Sequence, residues 1–228
     1  MANYRSWRNV SPSGTLWRVV SDKPEHRILP DGVMDLVWCD GKFIFAGPDT
    51  TAVSVQVLPG SATWGLRLAP GVAHALLGIP TLEVRGERVA LDELVTLPPS
   101  IVDSAYEAPA TALTSLAESL WARAAVGPAE LRLATSLERA TRNGHSVSAI
   151  AEAHFLSERS LRRLSGDLFG YGPKTLASIH RFRRALRLAR AGVSFSETAA
   201  RAGYADQAHL SREVKRFTGA TLTELLAD

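Results

Sequence analysis

The sequence predicts an α+β protein: a β-rich amino-terminal domain of sandwich or small-barrel kind, then an all-α domain with two helix-turn-helix units joined by a linker helix. Three observations predict it. Short strand-like runs separated by turn residues fill the first hundred positions. No segment after about residue 105 reads as strand. The C-terminal part matches itself at a spacing of 48 to 49 residues.

The strand-like runs are LWRVV (16–20), VMDLVWC (33–39), KFIFAG (42–47), VSVQVL (53–58) and ATWGLRLA (62–69). They are rich in β-branched and aromatic residues, and LPDG, CDGK, GPDT, LPGS and APGV punctuate them as turns. The proline-rich LPPSIVD (97–103) then reads as a boundary. Two helical runs follow: TALTSLAESLWARAA (111–125), with Leu113, Leu116, Leu120 and Trp121 at helical spacing, and 127–144, closed by its own glycine. The predicted division is a β-rich sensing or dimerising domain over 1–104, a connecting helix over 105–128 and the double helix-turn-helix domain over 129–228.

In the repeat, Ala151 matches Ala199 and Phe155 matches Gly203. One residue later in offset, Leu161 matches Leu210, Arg163 matches Arg212 and Gly170 matches Gly219. Each copy predicts a short helix (147–154, 195–202), a tight turn, a longer helix (158–169, 206–217) and a glycine stop, which is the plan of a helix-turn-helix. Ser157 and Asp206 are the expected N-caps. Between the copies, PKTLASIHRFRRALRLARAG has Pro173 suited to a first turn and Gly192 to a stop. Eighteen helical residues span about 27 Å, close to the roughly 34 Å of one turn of B-DNA.

Charge is unevenly placed. Residues 145–228 hold 13 Lys and Arg against 8 Asp and Glu, a net +5, whereas the other 144 residues hold 13 against 15, a net −2. A basic end on a slightly acidic body implies an anionic partner docking at that end. On the second long helix, Gln207, His209, Arg212 and Lys215 leave the apolar stripe of Leu210, Val214 and Phe217. On the first, Glu158, Arg159, Ser160, Arg162 and Arg163 leave the stripe of Leu161, Leu164 and Leu168. Gln and Arg can hydrogen-bond adenine and guanine edges in a major groove, and Lys and Arg neutralise phosphates.

GYGPKTL…HRFRRAL followed by TAARAGYADQAHLSREVKRFTGAT resembles the C-terminal domain of AraC/XylS-type transcriptional regulators. The resemblance covers about 130–228 and implies seven helices, with two recognition helices entering successive major grooves on one face of DNA. The pattern is departed from at Phe155, where the first turn usually has glycine, at Ser165, where an apolar residue usually packs, and at Leu222, in place of a proline. ILPDGVMDLVW…GPDT…LRLAPGVAHALLGIP resembles the amino-terminal domain of an uncharacterised subgroup of these regulators, which by analogy implies a cupin-like sensing module. The expected partners are double-stranded DNA, a small-molecule effector, a second copy in a homodimer, and RNA polymerase.

The remaining readings concern small molecules and catalysis. Trp38, Trp64, Arg67 and His74 lie in or beside predicted strands and are candidates for an aromatic pocket with a cationic anchor. The alternative function is a cupin-like small-molecule-binding or enzymatic protein with an accessory basic helical domain, or a module whose basic helices meet RNA or an acidic protein. No two of the six histidines share the i, i+2 or i, i+4 spacing of metal ligands, and no HExxH, GxSxG, P-loop or GxGxxG occurs. No catalytic residue, metal or cofactor is therefore expected. A single cysteine, Cys39, fits a reducing cytoplasm and reads as a packing thiol. No run approaches the roughly 18 apolar residues of a membrane span.

Overall fold

A computed structural model describes residues 3–10 and 14–227. Its amino-terminal part holds eight strands: β1 (Asn3–Val10), β2 (Gly14–Val20), β3 (Glu25–Ile28), β4 (Asp35–Cys39), β5 (Lys42–Ala46), β6 (Val53–Gln56), β7 (Ala62–Leu68) and β8 (Arg88–Ala90). Six form an antiparallel sheet in the order β1-β2-β7-β4-β5-β8, and β3 pairs with β6 in a second, two-stranded sheet. The five strand-like runs correspond to β2, β4, β5, β6 and β7, while β1, β3 and β8 are additional.

Register divides the large sheet into two chemically distinct faces. Leu16, Leu66, Leu36 and Phe45 are paired across four adjacent strands and share one face. They are buried with Trp38, Phe43 and Leu68 against the helices that follow. The row beside them, Thr15, Arg67, Asp35, Ala46 and Arg88, is paired just as directly and points to the other face. Because side chains alternate, a one-residue slip would carry this charged row into the core, so burial of the leucine row fixes the register. The β4–β5 hairpin turns on Asp40 and Gly41, both at positive φ (50° and 76°), as a two-residue Asp-Gly turn requires.

Helix α1 (Val72–Leu77) follows β7. Helices α2 (Pro99–Glu107) and α3 (Pro109–Trp121) then cover the leucine face, with Ala105, Ala112, Leu113, Leu116, Ala117 and Leu120 buried in the β-domain core. The proline-rich stretch read as a boundary is the start of α2: Pro98 is its N-cap and Pro99 its first residue, where a missing N–H costs nothing.

A second core is built by α4 (Pro128–Arg142), α5 (Val147–Ala153), α6 (Glu158–Phe169), α7 (Pro173–Arg190), α8 (Phe195–Ala202), α9 (Gln207–Thr218) and α10 (Leu222–Ala227). Helix α7 runs through its middle: Leu176, Ile179, Phe182, Ala185 and Leu186 are buried, and the Phe182 ring lies 5.1 Å from that of Phe217 on α9.

The two parts touch along a built seam. Thr81 donates its hydroxyl to the Asp167 carbonyl (3.0 Å) near the end of α6, and the Ala52 N–H donates to the Phe217 carbonyl (2.6 Å) near the end of α9. Leu29 packs against the helical core. Beside it, Gly32, at φ +82°, faces Leu176 and His180 of α7 and Tyr171, and a Cβ there would press on Leu176 and touch the other two.

Candidate nucleic-acid interface and ligand cavity

Both long helices of the repeat begin with the expected caps. Ser157 accepts the Ser160 N–H (3.0 Å) at the start of α6, and Asp206 accepts the His209 N–H (2.6 Å) at the start of α9. Both end on a glycine in the left-handed region, Gly170 at φ 79° and Gly219 at φ 71°. The turns before them differ. Gly203 takes φ 87°, whereas Phe155 is held at φ 55° with its ring 97% exposed.

On α9, Gln207, Arg212 and Lys215 are exposed, and among the described residues neither Arg212 nor Lys215 forms an ion pair. Gln207 accepts a hydrogen bond from Ser196 on α8 (2.9 Å), which orients its amide at the helix start. His209 is only half-exposed: its ring stands edge-on to Tyr204 at 5.2 Å, and Nδ1 accepts the Ala205 N–H at 3.4 Å. It therefore supports the turn as well as lining the surface.

The neighbouring Arg216, though half exposed, is tied back to its own helix. Its guanidinium donates twice to Glu213 (2.8 and 2.9 Å) and lies 4.1 Å from the Phe217 ring centroid. That hydrogen bonding holds the Glu213 carboxyl below the usual carboxylate range. Arg181 of α7 covers the Tyr204 ring at 4.7 Å, and burial pushes the Tyr204 phenol up to about 12.

On α6, Glu158, Arg159, Arg162 and Arg163 are exposed and Ser160 is half-buried, its hydroxyl 2.8 Å from that of Ser157. Arg162 pairs with Glu158 across one turn (2.7 Å), leaving Arg159 and Arg163 without an ion pair among the described residues. A glutamate so engaged is a poorer acceptor for a base amino group. Of the linker arginines, Arg184, Arg187 and Arg190 are exposed on α7, while Arg183 is half-buried at the seam.

The four pocket candidates do not converge. A cavity of about 530 Å³ lies on the charged face of the large sheet, beneath the β3–β6 pair, and of the four only Arg67 lines it. Trp38 and Trp64 have even parity on β4 and β7 and so point to the leucine face. There Trp38 packs on Phe43 (4.7 Å) and Tyr106 (5.1 Å), and Arg18 lies over Trp64. His74 sits on α1, where Nδ1 contacts the Ile79 carbonyl (2.8 Å).

The residues that do build the cavity's polar end are Asp31, Asp35, Asp49, Arg67 and Arg88. Arg67 donates to Asp31 (2.9 Å) and places Nε 3.5 Å from Asp35, its cross-strand neighbour. Burial opposes the Arg67 charge, but Asp35 and Asp31 overcome it and hold the guanidinium above its usual value. Burial also pushes the Asp31 carboxyl up, against the pull of Arg67. Arg88 closes on Asp49 with two bonds (3.1 and 2.6 Å). Trp17 donates its indole N–H to Asp35 (2.8 Å), and its ring lies over Gly65, where any Cβ would collide with it. Even-odd parity around Asp35, Val37 and Cys39, opposite Leu36 and Trp38, is the sequence signal that marks this face.

Residues 150–228 match the model of a helix-turn-helix domain, and residues 14–90 match a domain of unknown function, DUF6597. The chain is similar in fold to a crystal structure of ToxT from Vibrio cholerae O395, with 10% identity, a TM-score of 0.52, and coverage of 98% of this chain and 97% of that one. A second ToxT structure from Vibrio cholerae O395, bound to (E)-4-(8-methylnaphthalen-1-yl)but-3-enoic acid, aligns over 100% of this chain and 98% of that one at 10% identity, with a TM-score of 0.48. No curated protein sequence matches the chain. Among the described residues, no helix is long and apolar enough to cross a membrane. Two capped helix-turn-helix units around one linker helix, together with the matched domain model, identify the C-terminal part as an AraC-type helix-turn-helix DNA-binding domain, carried behind an amino-terminal domain of the DUF6597 kind.

Proposed function

We propose that this chain is a sequence-specific transcription regulator that places α6 and α9 in successive major grooves of one DNA duplex and answers to a small molecule held in the β-domain cavity. The observation that carries the DNA part is the pairing of Arg163 with Arg212. Each is exposed at the same place in its own capped helix, and neither is in an ion pair among the described residues. Such arginines keep all five guanidinium donors for base edges and phosphates. Arg159 and Lys215 serve as phosphate contacts, and Gln207 reads a base near the start of α9. With two reading units in one chain, a two-groove contact needs no second copy, and dimerisation and polymerase contact fall to the β-domain and to α2–α4. This regulator works in the cytoplasm, where DNA is reached directly.

The test is a mobility-shift titration on the DNA upstream of the chain's own gene, after footprinting has located the site. Arg212→Ala is expected to weaken specific binding by about 1–3 kcal/mol and to relax preference at one base position. Unchanged affinity with unchanged preference would remove Arg212 from the reading surface.

A further inference from the structure

The charges around the cavity are not balanced in the way a simple anion or cation site would balance them. Asp49 and Arg88 are engaged with each other through both carboxylate oxygens. At this end Arg67 then stands between two carboxylates, Asp31 and Asp35, while Arg27 lines the cavity from β3. Arg67 spends Nη2 on Asp31, and its Nη1 has no hydrogen bond among the described residues although the side chain is 38% exposed, on the cavity face. Asp35 spends Oδ1 on the Trp17 indole, and its Oδ2 has no hydrogen bond among the described residues. A free donor and a free acceptor, both carrying full charges, thus stand on directly paired residues of β7 and β4.

Beyond this head, the lining is mixed, with a valine-rich wall beside Tyr4, Arg27, Gln56 and Thr63. Val19, Val33, Val37, Ile44, Val55 and Val57 form that apolar wall. On the β3 side, the His26 Nε2 is buried with no hydrogen-bond partner among the described residues. A volume of about 530 Å³ falls within the range of small-ligand sites and exceeds what one polar headgroup would fill.

We propose that this cavity is built for a zwitterion: an α-amino acid, or a close derivative keeping both charges, with a large apolar side chain. Its carboxylate takes the free donors of Arg67, its ammonium takes the free oxygen of Asp35, and its side chain lies along the valine walls. The proposal rests on the reading of the cavity as an effector site. A plain carboxylate on Arg67 would crowd two aspartates with no positive charge of its own to offset the repulsion, which is strong in a low-dielectric site. A plain amine would meet Asp35 but leave the remaining donors of Arg67 desolvated without an acceptor, which is costly. The zwitterion satisfies both groups and adds no net charge.

The site also reaches the DNA-binding part. Asp31 shares Arg67 with Asp35 and belongs to the Leu29–Val33 loop, whose Leu29 packs in the helical core and whose Gly32 abuts Leu176, His180 and Tyr171. A ligand carboxylate on the free donors of Arg67 sits beside Asp31 on the same guanidinium, so occupancy acts on a loop that bears on the linker helix.

Isothermal titration calorimetry on the full chain, without DNA, tests the class directly. The probes are L-leucine, L-isoleucine, L-methionine, L-phenylalanine and L-tryptophan, each with its decarboxylated amine and its deaminated carboxylate. At least one amino acid is expected to bind at least about tenfold more tightly than both of its halves. Val37→Phe, which fills the cavity from β4 without touching a charge, is expected to abolish that binding. In Arg67→Gln, where circular dichroism shows a native fold, the amine is expected to bind as well as its parent amino acid.

An amine or a carboxylate binding wild type as tightly as its parent would overturn the proposal, as would no binding by any of the five at millimolar concentration or full binding by Val37→Phe. Because DNA is absent, loss of the operator in the mobility-shift experiment would count against the regulator reading alone. An intact operator complex with no amino-acid binding would count against the zwitterion alone.

Discussion

The two helix-turn-helix units share a plan and differ in what supports them. In the second unit, the turn is glycine, the buried stripe is Leu210, Val214 and Phe217, and Arg181 and Glu213 tie α7, Tyr204 and Arg216 together beneath the helix. In the first, the turn is Phe155, and the position matching Val214 is Ser165, buried at 2% exposure. The first unit is braced more heavily from outside: Thr81 bonds to Asp167 and Pro48 packs on Gly170, whereas the second receives the Ala52 N–H on the Phe217 carbonyl. A polar residue inside one copy is tolerated where a neighbouring domain supplies the support. Departures from a repeat are thus informative about what leans on each copy.

That contrast can be broken most sharply in the cores. Phe217→Ala is expected to cost about 3–5 kcal/mol in chemical denaturation, since it removes a fully buried ring stacked near Phe182. Leu168→Ala, at the matching place in the braced unit, is expected to cost less, about 2–3 kcal/mol. An equal or reversed order would mean that the two units are supported alike. On DNA, Arg163→Ala is expected to weaken binding by about 1–3 kcal/mol, as Arg212→Ala does, but with footprint changes in the other half of the site. Changes in the same half would show that only one unit reads.

The smallest expected effect concerns the turns. Phe155 holds a left-handed conformation and its ring touches little, so Phe155→Gly is expected to raise the melting temperature by about 2–4 °C. Gly203→Ala is expected to lower it by a similar amount. A fall on Phe155→Gly would show that the exposed ring has a partner in the folded protein.

Much of this architecture is legible in the sequence because it is written locally. Strands β2, β4, β5, β6 and β7 carry β-branched and aromatic runs, and the helical repeat shows in its spacing, caps and glycine stops. Strand β3 is only EHRI, mostly exposed, so no hydrophobic alternation marks it. Strand β8 is three residues long and exists because β5 offers it an edge. Helix α2 hides behind the prolines that start it.

The cavity is harder to read because its chemistry is assembled by pairing, not by spacing. Asp35 meets Arg67 only because β7 returns between β2 and β4, thirty-odd residues away in the chain. The tryptophans mislead for a related reason: large aromatic rings suggest a pocket, but parity sends Trp38 and Trp64 to the opposite side of the sheet from Arg67.

The seam has one further consequence. The β-domain grips the helical part at Asp167 and at the Phe217 carbonyl, near the trailing ends of α6 and α9, while their leading ends stay exposed. A body fastened to both behaves like the frame of a caliper, setting the gap and the relative rotation of two jaws that it does not itself extend. On the proposed DNA-reading role of α6 and α9, operator phasing would be a property of residues outside both helices: Pro48, Ala52 and Thr81 would adjust the instrument, and Arg163 and Arg212 would take the measurement.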